Sequence, residues 1–144
     1  ACPMLTIVFV NALLIALVVV IHYEFLNHFT VWMPRLRVPH RYRIVLGVIA
    51  AITAHVIEII VFGVAYFVID QDETWGLLQG NFDQDLASSI YFSFTAYTTL
   101  GLGDIEPIGA IRFLVGLESL TGFVLITWTA SFLYFEMTRV WDAR

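Results

Sequence analysis

Three long apolar segments dominate the pattern of hydrophobic and polar positions along the chain, at residues 4–21, 44–69 and 113–135. Each is long enough to cross the hydrocarbon core of a bilayer as a helix, which needs about 20 apolar residues. A fourth apolar stretch, residues 86–100, is too short to span, and it follows acidic residues that favour the start of a helix. The pattern therefore predicts three membrane-spanning helices, with one short helix between the second and the third.

The polar segments between the predicted spans indicate their orientation. Residues 34–43 contain two prolines, which end helices, and four arginines, which mark the cytoplasmic side of a membrane. Arg139 and Arg144 follow the third span, whereas the connection between the second and third spans is acidic. We therefore expect a protein of the plasma (inner) membrane, with its N-terminus outside and its C-terminus in the cytoplasm.

The composition agrees with a membrane protein. Hydrophobic residues make up 60% of the chain and charged residues 13%, about half the charged share of an average soluble domain. The net charge of −5 argues against nucleic acid as a partner. Because Cys2 is the single cysteine, no disulfide can form within the chain.

The short apolar stretch ends in a glycine-containing motif. Residues 98–104 read Thr-Thr-Leu-Gly-Leu-Gly-Asp. This motif resembles the selectivity filter of potassium channels, whose usual form is Thr-Thr-Val-Gly-Tyr-Gly-Asp. Residues 86–134 resemble the pore helix, filter and inner helix of that family, and the second span resembles its outer helix. Such a filter needs unusual backbone dihedrals, which Gly101 and Gly103 allow at no steric cost.

The resemblance implies an all-α membrane protein with three transmembrane helices, a re-entrant pore helix and a filter, assembling around a central pore. The first span has no counterpart in the two-span members of the family. The implied organisation is an additional helix at 1–33, a cytoplasmic loop at 34–43 and a pore domain at 44–144, with outer helix 44–69, pore helix 86–98, filter 99–104 and inner helix 112–135.

The resemblance also implies the site residues and the assembly. The potassium filter would consist of Thr99, Leu100, Gly101, Leu102 and Gly103. Backbone carbonyls of the first four would line the pore, and the Thr99 hydroxyl would close its inner end. Residues that support the filter would be Thr98, Asp104, Thr95, Tyr91 and Phe92. The leucine side chains would point away from the pore and pack behind the filter. One loop supplies a quarter of a filter, so a homotetramer surrounded by membrane lipids follows. We expect no organic cofactor and no enzymatic activity.

The chain departs from the usual family pattern at several positions. Leu102 stands where tyrosine is commonest, and Tyr91 and Phe92 stand where many relatives have two tryptophans. Thr95 replaces the glutamate that pairs with the filter aspartate in some bacterial members, so Asp104 lacks that partner. These departures keep a weakly selective cation channel as an alternative.

The third span contains the first candidates for gating. Gly122 and Gly116 are either hinges or sites of close helix packing, since small residues are common where membrane helices meet. Glu118 is either a carboxylate near the ion path or a group behind the filter. In the second case its hydrogen-bond partner would be Ser93, Thr95 or Tyr97.

A second group of candidates contains histidine. His55 and Glu58 are three residues apart and share one helix face, so they form either a structural polar pair or a pH sensor. We expect His22 and His28 near the cytoplasmic surface and His55 at mid-membrane. This difference in depth counts against a metal centre built from these histidines.

Several functions compete at this stage. The first is a potassium channel, and the second is a weakly selective cation channel. A channel-like transporter would normally carry four pore loops in one chain, and this sequence has one. An intramembrane metalloenzyme would need ligands at a common depth. A non-conducting regulatory subunit would leave the filter motif unexplained. No span carries a ladder of arginines, so we expect no conventional voltage sensor.

Overall fold

The structure is a computed structural model that describes residues 3–35, 37–72 and 74–142. Cys2 and Arg144, named above, lie outside the described residues. These residues contain four α-helices, which we label α1 (Pro3–Trp32), α2 (His40–Ile69), α3 (Leu86–Tyr97) and α4 (Ile111–Asp142), and a 3₁₀ helix at Met33–Arg35. Helices α1, α2 and α4 are each long enough and apolar enough to cross a membrane. The predicted all-α fold with three membrane-spanning helices is therefore confirmed.

Two helices are longer than the sequence pattern suggested. Helix α2 begins at His40 rather than at residue 44, because Pro39 directly precedes it with a φ of −52° that suits a helix start. Helix α4 continues to Asp142 rather than ending at residue 135. Its last turns are polar and carry an ion pair between Glu136 and Arg139 at 2.9 Å. The sequence pattern missed both extensions because hydropathy detects only the apolar part of a helix, and both extensions carry charged residues.

A small antiparallel sheet, which the sequence pattern did not predict, joins the two loops around α3. Strand β1 (Leu77–Gly80) pairs with strand β2 (Ile105–Ile108). The Leu78 amide donates to an Asp70 carboxylate oxygen at 2.9 Å, which fixes β1 to the end of α2. The sheet therefore holds the chain that follows residues 98–104 against the loop that precedes α3.

Helix α3 is wedged between α2 and α4 at two glycines. A Cβ atom at Gly63 of α2 would lie 2.8 Å from the Ile90 Cα atom. A Cβ atom at Gly122 of α4 would lie 2.2 Å from the Tyr97 carbonyl oxygen. Both distances are too short for any side chain, so the helix backbones meet directly. The surrounding core includes Phe62, Tyr66, Phe92, Leu114 and Leu125.

Helix α1 is an integral part of the bundle. It packs against both α2 and α4. Val18 and His22 are buried between these helices, with 0% and 1% of their surface exposed. The first span therefore contributes to the same interior as the other three helices.

We predict that Gly63→Ala destabilises the protein. The added methyl group must displace the Ile90 backbone, and overpacking of this kind costs about 1–3 kcal/mol. Gly116→Ala is the matched control, because a Cβ there would meet no atom of the described residues within 4 Å. Thermal unfolding in detergent should show a lower midpoint for the first variant only. Equal midpoints for the two variants would contradict the close approach of α2 and α3.

Candidate functional site

The backbone of residues 98–104 alternates between two conformations. Helix α3 ends at Tyr97, and φ is then positive at every second residue: 59° at Thr99, 53° at Gly101 and 77° at Gly103. Leu100 and Leu102, between them, do not have positive φ. A residue of positive φ at every second position turns successive peptide groups away from the up-and-down alternation of a β-strand. The segment can therefore present a row of carbonyl oxygens on one side.

The left-handed conformation of Thr99 is notable because it is not a glycine. A residue with a Cβ atom pays about 1–2 kcal/mol for this conformation. Hydrogen bonds to the end of α3 hold it: the Thr99 amide donates to the Ala96 carbonyl and the Gly101 amide to the Thr95 carbonyl, both at 3.0 Å. Backbone strain that the surrounding structure maintains is typical of functional sites.

The outer end of the segment is fixed to α3 by a side-chain bond. The Tyr91 hydroxyl donates to an Asp104 carboxylate oxygen at 2.8 Å, and this bond raises the pKa of the Tyr91 phenol. Asp104 thus has a tyrosine partner in place of the glutamate that Thr95 replaces. The Thr95 hydroxyl instead bonds within its own helix, to the Phe92 carbonyl at 2.8 Å. Tyr91 is the residue that takes over the bracing of Asp104.

The start of α3 is also fixed by a carboxylate. The Ser88 amide donates to Asp85 at 2.7 Å, which lowers the pKa of the Asp85 carboxyl and caps the helix. This cap agrees with the helix start that the acidic residues predicted.

The two leucines of the segment are uncovered within one chain. Leu100 is 63% exposed and Leu102 is 57% exposed. The expected packing of their side chains behind the segment therefore does not occur within a single chain.

Glu118 lies behind the segment and accepts hydrogen bonds from two helices. It is fully buried, and its oxygens accept from the Tyr66 hydroxyl and lie by the Ser93 hydroxyl, each at 2.5 Å. Glu118 is therefore a hydrogen-bonded group between α2, α3 and α4, and its position relative to an ion path stays a prediction. Ser93 was among the expected partners. Tyr66 was missed, although a tyrosine inside an apolar span is itself a signal of a polar partner.

A second buried carboxylate joins all four helices. Glu58 of α2 lies 2.8 Å from the His22 Nδ1 atom of α1 and 3.1 Å from the Nδ1 atom of its neighbour His55. The Tyr97 hydroxyl, at the end of α3, donates to the same carboxylate. Thr129 of α4 completes the cluster, with its hydroxyl 3.3 Å and 3.1 Å from the two histidine Nε2 atoms.

The expectation that His22 and His55 differ in depth is wrong. That expectation was based on a membrane surface at the end of the first apolar run, near residue 21. Helix α1 continues to Trp32, so His22 lies ten residues, about 15 Å, from the end of the helix. His28 is well exposed and lies away from the cluster, with its Nδ1 atom 2.7 Å from the Glu24 carbonyl.

The two glycines of α4 have different surroundings. Gly122 packs directly against the Tyr97 carbonyl, which accounts for a small residue there. Gly116 is exposed. Close packing is thus the observed role of Gly122, and a hinge at either position stays a prediction.

A family model described as an ion channel matches residues 54–138, more than half of the chain. The chain belongs to this ion channel family. The matched region contains most of α2 and α4, all of α3 and the 98–104 segment, whereas α1 lies outside it. Comparisons with curated proteins and with solved structures found no match. With its three membrane-spanning helices, the protein is an integral membrane ion channel.

We predict that Ser93→Ala destabilises the channel. The Ser93 hydroxyl lies 2.8 Å from the Ile59 carbonyl and 2.5 Å from Glu118 Oε1, so its removal takes away the hydrogen-bond partner of this buried carboxylate oxygen. Such a loss costs about 1–3 kcal/mol. Ser131→Ala is the control, because the Ser131 hydroxyl is exposed and bonds only within its own helix among the described residues. A Ser93→Ala variant as stable as Ser131→Ala in thermal unfolding would contradict this role.

Proposed function

We propose that four copies of this chain form a channel that conducts potassium ions passively and selectively. The observation that carries the proposal is the alternating backbone at Thr99, Gly101 and Gly103, within a chain of the ion channel family. Four such segments facing one axis would stack rings of carbonyl oxygens. Rings of this kind replace the water shell of a dehydrated potassium ion. The ions are the cargo of the site, and membrane lipids surround the spans.

The exposed leucines support an assembly of several chains. One segment forms a single wall, and a pore needs further copies to close it. An open groove beside the segment has an apolar part formed by Phe92, Ala96 and Val115, and its lining also includes Glu106 and Ser119. In the proposed tetramer, the apolar part of this groove would receive a leucine side chain from the neighbouring copy. Leu100 and Leu102 would then be packed behind the filter between chains rather than within one chain.

The charges support the proposed orientation. Arg43 and Arg139 line a common pocket at the end of the bundle opposite the 98–104 segment. Arginine-rich ends face the cytoplasm, so the N-terminus would be outside and the C-terminus inside the plasma (inner) membrane. The C-terminus of α3 then points inward, and its negative dipole end favours a cation at the inner side of the filter.

A weakly selective cation channel is the second candidate. Leu102 cannot donate a hydrogen bond to α3, so only apolar contacts can hold that part of the filter wall. The hydrogen bond from Tyr91 to Asp104 favours a rigid filter, because it fixes the outer end of the segment. We therefore favour the potassium-selective channel. A non-conducting subunit would leave the strained backbone of Thr99 without a purpose.

We predict that Gly101→Ala abolishes potassium flux. An alanine at a φ of 53° is strained by about 1–2 kcal/mol, and relief of this strain would turn a carbonyl away from the pore. The measurement is potassium flux into liposomes that contain the purified protein. Native mass spectrometry should give four times the 16.3 kDa chain mass for this variant and for the wild type. Leu13→Ala, at an exposed position of α1, is the control for flux. Normal, selective flux through Gly101→Ala would refute the filter assignment.

We also predict that Tyr91→Phe relaxes selectivity. The change removes the hydroxyl that holds Asp104 and leaves the ring in place. The sodium-to-potassium permeability ratio should rise several-fold in bilayer recordings. Tyr23→Phe is the control, because Tyr23 is exposed on α1. The same ratio in both variants would show that the bond does not maintain the filter.

A further inference from the structure

The cluster around Glu58 has donor atoms spaced as in a metal centre. One ligand atom from each of His22, His55 and Glu58 lies within 4.8 Å of the other two. The His22 Nδ1 atom lies 2.8 Å from one Glu58 oxygen, and the His55 Nδ1 atom lies 3.1 Å from the other. Ligands at about 2.0–2.1 Å from a tetrahedral Zn²⁺ ion lie roughly 3.3 Å apart, so a small outward shift would admit a cation.

The far sides of the two imidazoles share one partner. The Nε2 atoms of His22 and His55 lie 3.3 Å and 3.1 Å from the Thr129 hydroxyl oxygen. A metal-binding histidine usually donates its second ring N–H to an outer group, which fixes the orientation of the ring. A hydroxyl oxygen has two lone pairs, so Thr129 can accept from both imidazoles at once. Thr129 is thus placed as the outer support of both ligands.

Proton counting shows that the cluster can take up one further positively charged species. If both Nδ1 atoms donate to Glu58, then both Nε2 atoms are acceptors, and Thr129 has one proton to offer them. If His55 instead carries its proton on Nε2, its bare Nδ1 atom faces the Glu58 oxygen at 3.1 Å. With neutral imidazoles and an ionised Glu58, two lone pairs therefore face each other without a proton between them, and either one added proton or a cation would separate them.

A cation on the Nδ1 side removes this conflict. Both imidazoles then bind the cation through Nδ1 and donate Nε2–H to Thr129. The Glu58 carboxylate offsets one of the two positive charges. The Tyr97 oxygen, 3.0 Å from the His55 Nδ1 atom, is a fourth donor atom within reach of the same cation. Two imidazoles with oxygen donors suit Zn²⁺ and similar transition metals, whereas Mg²⁺ and Ca²⁺ prefer oxygen ligands throughout.

We propose that His22, His55 and Glu58 bind one divalent transition-metal cation of the Zn²⁺ class in each chain. The site joins α1 to α2. It also reaches the end of α3, because the Tyr97 hydroxyl, directly before Thr98, donates to Glu58. The bound cation would fix the end of α3 from the side opposite the pore. The proposal concerns binding, so it stands or falls separately from potassium conduction.

The test is the metal content of the purified full chain, without an affinity tag. The protein is loaded with Zn²⁺ in detergent, separated from free metal and measured by mass spectrometry of the element. We expect about one Zn²⁺ per chain. Co²⁺ in its place should give the visible absorption of a four-coordinate site, which reports the ligands directly. A folded wild-type protein that takes up neither metal would overturn the proposal, and the cluster would then be an ion pair that holds one extra proton.

Variants assign the site to its residues. His22→Ala should lose the metal, whereas His28→Ala, an exposed histidine on the same helix, should keep it. Thr129→Val keeps the side-chain shape and should weaken metal binding about 10- to 100-fold, because the outer support of both histidines is lost. This variant is the test if His22→Ala does not fold. The assignment would be overturned by any one of three results: full metal content in folded His22→Ala, unchanged metal affinity in Thr129→Val, or loss of metal in His28→Ala.

Discussion

The wedging of α3 between α2 and α4 is the constraint on which the rest of the structure depends. Irregular backbone at membrane depth is tolerated only where protein encloses it or where it lines a water-filled cavity. The 98–104 segment directly follows α3, so its position is set by that helix. Gly63 and Gly122 bring three backbones into direct contact at α3. A side chain at either glycine would push α3 outward and move the carbonyl row with it.

Two buried carboxylates brace α3 at separate levels. Glu118 contacts Ser93 near the middle of the helix, and Glu58 accepts from Tyr97 at its end. Carboxylates inside a membrane are costly and are retained where they have polar partners or a function. Here each partner on α3 is a hydroxyl, so the same bonds satisfy the carboxylates and fix the helix. His22 extends the second brace to α1, which makes the additional helix part of the support of the 98–104 segment.

The sequence alone predicts those features of the fold that are local or that depend on the length of an apolar run. Three spans follow from apolar runs, the short helix from its acidic start, and the left-handed backbone at Gly101 and Gly103 from the motif. Features that depend on pairing between distant segments were not accessible. The β1–β2 sheet has strands of four residues without a clear alternation of apolar and polar positions. The contact between His22 and Glu58 was missed because membrane depth was judged from hydropathy, whereas helix α1 continues well beyond its apolar run.

The claim that the 98–104 segments form a potassium-selective pore is tested most directly by a reversal potential. The purified protein would be placed in a planar bilayer with potassium on one side and sodium on the other. The account predicts a current that Ba²⁺ blocks and that reverses far from zero, toward the potassium equilibrium potential. Reversal near zero would mean that sodium and potassium pass equally and would contradict potassium selectivity. The absence of any current carried by potassium or sodium would contradict the pore itself.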